Sequence, residues 1–158
     1  MGMITPFLWY DSEAEEAATL YTSLFPNSTI LAVNRYGAAG PGPEGSAMTV
    51  TFELDGQRVV ALNGGPAHPL TEAFSFTVAC ETQEEVDRYW DALSAGGEEG
   101  PCGWLKDRFG LSWQIVPNAL PRLLGDPDPG RAQRAMQAML QMRKLDIAAL
   151  EAAAAAGA

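Results

Sequence analysis

The chain has 158 residues, 47% of them hydrophobic, which suits one domain or two half-domains sharing a core and does not suit a disordered segment. Ten Lys and Arg stand against twenty Asp and Glu, a net charge of −10, which argues against nucleic acid or an anionic membrane as partner because both recruit cationic surface. Two cysteines without CxxC spacing argue against a disulfide framework or a zinc knuckle. With no signal-peptide pattern and no apolar run near the ~20 residues of a membrane span, the expectation is a cytoplasmic protein.

Residues 4–10 read as a strand, rich in aromatic and branched side chains. Ser12-x-x-Glu15 has the form of a capping box, and Ala17, Leu20, Tyr21 and Leu24 then recur at helical spacing until Pro26-Asn27. Residues 29–36 read as a second strand. The loop GAAGPGPEGS follows, and residues 48–54 alternate as a third strand. Asp55-Gly56 is a tight-hairpin signal that returns the chain through 58–63.

The second half repeats that order. Residues 73–80 read as a strand, Thr82-x-x-Glu85 as a capping box, and Val86, Tyr89, Trp90 and Leu93 as one helix face ended by Gly96-Gly97. Short strands are expected at 98–100, 103–106 and 111–116. At an offset of 69 residues Glu15 meets Glu84, Leu20 meets Tyr89, Tyr21 meets Trp90 and Leu24 meets Leu93. The repeat predicts two βαβββ modules, each with a sheet face it cannot cover alone. Within the second, CGWLKDRFGLSWQIVP has a turn-rich middle, an exposed-looking Lys106-Asp107-Arg108 cluster, and one polar residue, Gln114, inside its most strand-like run.

From Pro117 the pattern turns helical. Pro129 suits the first position of a helix over 130–144, whose Ala135, Met136 and Met139 face should pack on the body or on a second copy. Asp146 is placed to cap a last helix ending in the alanine-rich tail. The organisation expected is α+β: residues 1–120 as a single domain of two modules (about 1–66 and 73–118), with residues 121–158 as a C-terminal helical extension.

The segments PFLWYDSEAEEAATLYTSLFPNS, FELDGQRVVALNGGP, CGWLKDRFGLSWQIVPNALPRLL and AMQAMLQMRKLDIAALE resemble one bacterial family. It is the PhnB-like branch of the glyoxalase/bleomycin-resistance/dioxygenase (vicinal oxygen chelate) superfamily, many of whose members carry the name 3-demethylubiquinone 3-methyltransferase. The resemblance implies paired βαβββ modules forming a cleft, and a homodimer. It further implies that His or Glu metal ligands, where present, sit on the first and last strands of each module. At the matching places this chain offers Pro6 or Thr5, Asn63, Ser75 and Gln114, with Gln114 where a metal-binding Glu would be. Neutral amides are weak ligands for divalent ions that imidazole and carboxylate hold well. The only histidine, His68, falls in a connector. The expectation is therefore no metal and no other cofactor.

A methyl donor such as S-adenosylmethionine ordinarily needs a Gly-rich turn opening a helix. Neither Gly64-Gly65 nor Gly96-Gly97 precedes one. Cys102, near Lys106 and Arg108, is a candidate nucleophile without a neighbouring histidine base; its other reading is an inert thiol packed beside Trp104. Trp9, Trp104 and Trp113 are candidate walls of an apolar pocket. Two functions follow. One is a metal-independent small-molecule binding protein using Asn63, Gln114, Trp9 and Trp104. The other is an enzyme on the same fold, using Cys102 or the Asn63 and Gln114 amides to orient a small aromatic or apolar substrate. An assembly role through the Met-bearing helix is a third.

Overall fold

The computed structural model describes residues 2–157. The chain divides into two compact units, residues 1–70 and 71–158. The first holds β1 (Phe7–Tyr10), α1 (Ala14–Leu24), β2 (Thr29–Arg35), β3 (Ala47–Leu54) and β4 (Gln57–Asn63). The second holds β5 (Ser75–Cys80), α2 (Gln83–Ser94), β6 (Glu98–Glu99), β7 (Trp104–Lys106) and β8 (Ser112–Pro117), then α3 (Ala119–Leu124), α4 (Pro129–Leu140) and α5 (Ile147–Ala155). The sheets run β1-β4-β3-β2 and β5-β8-β7-β6. In each, the first strand pairs parallel to the last and the others pair antiparallel. The α+β class, the two βαβββ modules and the C-terminal helices all match the expectation from sequence.

In the first unit, α1 lays Ala14, Ala17, Ala18 and Tyr21 on a sheet face built by Leu8, Tyr10, Val50, Phe52, Val59 and Ala61, all buried. Strict alternation then turns Phe7, Trp9, Arg58, Val60 and Leu62 to the opposite face. Asp55 and Gly56 both have positive φ, 48° and 81°, the geometry of a type I′ turn, so this hairpin forms where the sequence marks it. β1 starts at Phe7 rather than at residue 4, because Pro6 has no N–H to give the ladder and contributes only its carbonyl, to Val60 N. The Ser12 capping box does not form. The N-cap residue is Glu13, and the Ala14 N–H donates instead to Asn63 Oδ1 at 2.8 Å.

In the second unit, α2 buries Val86, Tyr89, Trp90 and Leu93 against Cys80, Leu105, Leu111, Trp113 and Ile115. Here the expected cap is present, with Glu85 N donating to Thr82 Oγ1 at 3.2 Å. β5 begins only at Ser75 because Thr71 folds the preceding residues into a turn, accepting from Ala73 N on its hydroxyl and from Phe74 N on its carbonyl. Gly97 admits no side chain, since a Cβ there would stand 2.1 Å from the Lys106 carbonyl oxygen.

The three C-terminal helices share a second core of Ala119, Leu120, Leu123, Ala135, Leu145, Leu150 and Ala154, with Met139 and Met142 packed on it. α4 runs from Pro129 and stops at Leu140, short of residue 144. Asp146 caps α5 by accepting from Ala149 N at 2.9 Å. Gln83 ties this extension to α2. Its Nε2 donates to the Leu145 carbonyl at 3.0 Å, and its Oε1 accepts from Ile147 N at 2.8 Å. Lys144 adds an ion pair to Asp87 at 3.1 Å. Among the described residues no helix is long and apolar enough to cross a membrane. Removing both amide bonds in Gln83→Ala should speed amide exchange at residues 145–150 roughly tenfold or more while β5 to β8 keep their protection. Unchanged exchange there would mean that Gln83 does not hold the extension.

Candidate functional site

The Lys106-Asp107-Arg108 cluster is not uniformly exposed. Asp107 is buried, with 3% of its surface accessible, and its carboxylate organises the turn between β7 and β8. Oδ1 accepts from Phe109 N at 2.9 Å and Leu111 N at 3.0 Å, while Oδ2 accepts from the Trp113 indole at 2.9 Å. Trp113, a candidate pocket wall from sequence, is accordingly a core residue at 1% exposure with its ring 5.3 Å from Phe76. The correction has a simple cause: its polar edge finds a buried acceptor six positions back in the chain, so the whole ring can be buried.

With Trp113 inward, alternation turns Ser112 and Gln114 to the other face of the sheet. Gln114 is half-buried, paired in the ladder with Trp104 on one side and Thr77 on the other. Its Nε2 donates to Ser75 Oγ at 3.0 Å, so two of the positions singled out from sequence meet in one hydrogen bond. Trp104 and Lys106 are half-buried on the same face, and Ser112 is buried there. Around them lies a hollow of about 420 Å³, lined by Trp104, Lys106, Ser112, Glu72, Glu98 and neighbouring backbone. Lys106 Nζ reaches Glu72 at 2.6 Å. The hydrogen bond from that ammonium holds the Glu72 carboxyl below its usual range, and the same bond raises Lys106. Glu72, Lys106, Ser112 and Asp107 were not legible as site residues; only the turn signal Asp107-x-x-Gly110 pointed towards one of them.

The remaining candidates lie elsewhere. Asn63 belongs to the first unit, and both ends of its amide serve the backbone: Oδ1 accepts from Ala14 N at 2.8 Å and Nδ2 donates to the Ala47 carbonyl at 3.1 Å. It borders a second hollow of about 310 Å³ with Tyr36, whose hydroxyl donates to the Asn63 carbonyl at 2.5 Å. Trp9 also belongs to the first unit. Its indole donates to Gly65 O at 2.9 Å, and the His68 ring meets it edge-on at 4.8 Å. Cys102 is half-buried in a turn at φ +58°, next to Gly103 at +85°. Its N–H donates to Met142 O and that of Gly103 to Arg143 O, both at 2.8 Å, so the extension grips this turn.

Donor chemistry decides the fit of a divalent metal. Pro6 offers no side-chain ligand, Asn63 is committed to backbone, and Ser75 and Gln114 are neutral and bonded to each other. Among the described residues no three His, Cys, Asp or Glu side chains are grouped to hold an ion. The residues present do not fit a catalytic metal. Nor do they fit a methyl donor in the doubly wound manner. The strand-to-helix turns at 11–13 and 81–82 lack glycine, and the helices they open begin with Glu15-Glu16 and Glu84-Glu85.

Two βαβββ modules with parallel first and last strands define the fold of the vicinal oxygen chelate superfamily. The chain belongs to the family described as 3-demethylubiquinone-9 3-methyltransferase, which matches residues 2–116. A PhnB protein from Bacillus cereus is 38% identical, with a TM-score of 0.67 over 73% of this chain and 99% of that one. Protein PA1353 from Pseudomonas aeruginosa is 22% identical, with a TM-score of 0.62 over 74% of this chain and 98% of that one. The fosfomycin resistance protein FosX from Listeria monocytogenes, crystallised with Mn(II) and sulfate, shares the fold at 18% identity, with a TM-score of 0.52 over 72% and 89%. No curated protein matches the chain.

Asp107→Ala should lower stability by about 3 kcal/mol, because it strands the Trp113 indole N–H and two turn amides together; chemical denaturation reads this directly. The two thiols should also separate by chemistry. Burial, reinforced by the Glu85 carboxylate, pushes the Cys80 thiol up to about 11. The folded state therefore keeps that proton longer than the unfolded chain does. Its contribution to stability is intact below the ordinary thiol value of 9.0 and is lost as pH rises towards 11. Iodoacetamide at pH 8 should alkylate Cys102 first and leave Cys80 unmodified until the protein unfolds, as peptide mass mapping will record.

Proposed function

We propose that this protein binds a small organic molecule without a metal, on the sheet face of its second module around Gln114. The observation carrying this reading is the Gln114 to Ser75 hydrogen bond at 3.0 Å. An ion site at these positions needs converging anionic or imidazole ligands. Here an amide and a hydroxyl satisfy each other, and the Gln114 Oε1 is left to accept from a ligand. The adjoining hollow of about 420 Å³ lies within the range of small-molecule sites, and Trp104 supplies it with an aromatic wall. FosX, which shares the fold, has been crystallised with Mn(II); the neutral Gln114 and Ser75 pair supports a metal-free use of the fold in this chain. A homodimer, the assembly the family resemblance implies, is part of the same proposal. Its exposed Met3, Ile4, Phe7 and Leu31 are the side chains that assembly would draw on.

Calorimetric titration with Zn²⁺, Ni²⁺ and Mn²⁺ at moderate salt should show no stoichiometric site, only weak heats of a generic acidic surface. A single site of micromolar or tighter affinity, abolished by Gln114→Ala, would overturn the metal-free reading. A neutral environment-sensitive dye such as Nile red should bind at one equivalent and lose affinity in Trp104→Ala.

A further inference from the structure

The hollow beside Gln114 has a charge pattern of its own. Glu72, Glu98 and Glu99 stand on it with one cation, Lys106. Lys106 is already engaged by Glu72 at 2.6 Å, and in the ladder it lies directly opposite Glu98. An incoming anion would have to displace one carboxylate and approach the others. The field at the mouth is negative, within a chain of net charge −10.

Carboxylates on a surface are ordinarily just solvated, so the rim alone says nothing about a ligand. Ser112 supplies the independent observation. It is 1% exposed, it lines the hollow, and its hydroxyl has no hydrogen-bond partner. Ser75 is Ser112's register partner, and its hydroxyl bonds to Gln114 rather than to Ser112. A buried hydroxyl without a protein partner is uncommon, and a bound group can complete its bonding. Trp104 lines the same hollow, and an indole π-face attracts a cation and covers an apolar body equally well.

We propose that this hollow takes an organic cation: a primary or secondary ammonium group carried on a flat apolar body. The ammonium N–H donates to Ser112 Oγ, the positive charge faces Glu98 and Glu72, and the body lies along Trp104. A neutral apolar ligand would leave Ser112 unpaired and the rim unused. An anionic one would oppose the rim. This assignment rests on the small-molecule reading above and narrows it to a chemical class.

The test uses three probes of one shape on the full chain, followed by tryptophan fluorescence and calorimetry: phenethylammonium, 2-phenylethanol and phenylacetate. Phenethylammonium should bind at one equivalent, about tenfold tighter than 2-phenylethanol, with phenylacetate weaker still; the gap should shrink as salt is raised. Glu98→Gln should reduce phenethylammonium affinity several-fold and leave 2-phenylethanol binding nearly unchanged, and Ser112→Ala should weaken phenethylammonium several-fold and 2-phenylethanol by less. Ser112→Ala should not lower the melting temperature, because it removes an unpaired hydroxyl; a purely structural Ser112 would move the melt and not the probe selectivity. If the three probes bind alike, or phenylacetate binds best, the cation assignment is wrong and the binding reading stands. If none of them binds and the apolar dye does not either, both fall.

Discussion

The Asp107 carboxylate takes hydrogen bonds from Phe109 N, Leu111 N and the Trp113 indole while almost wholly removed from water. A charge in that position is tolerable only because each donor is held at bonding distance, and each donor is held there by the carboxylate. The turn and the buried ring are therefore mutually dependent. Once Trp113 is fixed inward, the pleat leaves Ser112 and Gln114 no choice of face, and the antiparallel pairing brings Lys106 and Trp104 beside them. The chemistry-bearing side of the second module is thus specified from its opposite side.

The C-terminal helices show how a module can be extended without disturbing it. The family match ends at residue 116, and α3 to α5 build a core of their own beyond it. Attachment is made by few, well-satisfied polar contacts: the Gln83 amide uses one donor and one acceptor on consecutive stretches of the extension, and Lys144 meets Asp87 at the surface. Being exposed, that ion pair contributes little by comparison with the bonds to backbone groups.

The elements of the fold were legible because local signals agreed with the global pattern: type I′ chemistry at Asp55-Gly56, alternation in the strands, a real cap at Thr82 and Pro129 at a helix start. What misled was non-local. Ser12 has the spacing of a cap, but Asn63 arrives from the far end of β4 and takes the Ala14 amide first. The same contact gives the Asn63 amide a structural role. Asp107 reads as a surface charge because nothing in composition shows that Trp113 will come round to meet it. α3 escaped notice for its brevity and for Pro121, which is tolerated because it stands in the first turn, where amides have no helical partner. At the site, Gln114 was visible through the family resemblance. Its bond to Ser75 follows from the parallel β5/β8 register, which no single segment encodes.

The Cys102-Gly103 turn depends on residues that come much later in the chain. Its two amides donate to the carbonyls of Met142 and Arg143, and Gly103 lies so close to Leu145 that an added Cβ would be 3.0 Å from its side chain. During synthesis the strands of the second module leave the ribosome first, with those amides facing water and Trp104 on a turn not yet clamped. The Trp104 turn is therefore among the last parts of the molecule to be finished. A chain ending before Met142 would carry the sheet without the two carbonyls that hold this turn.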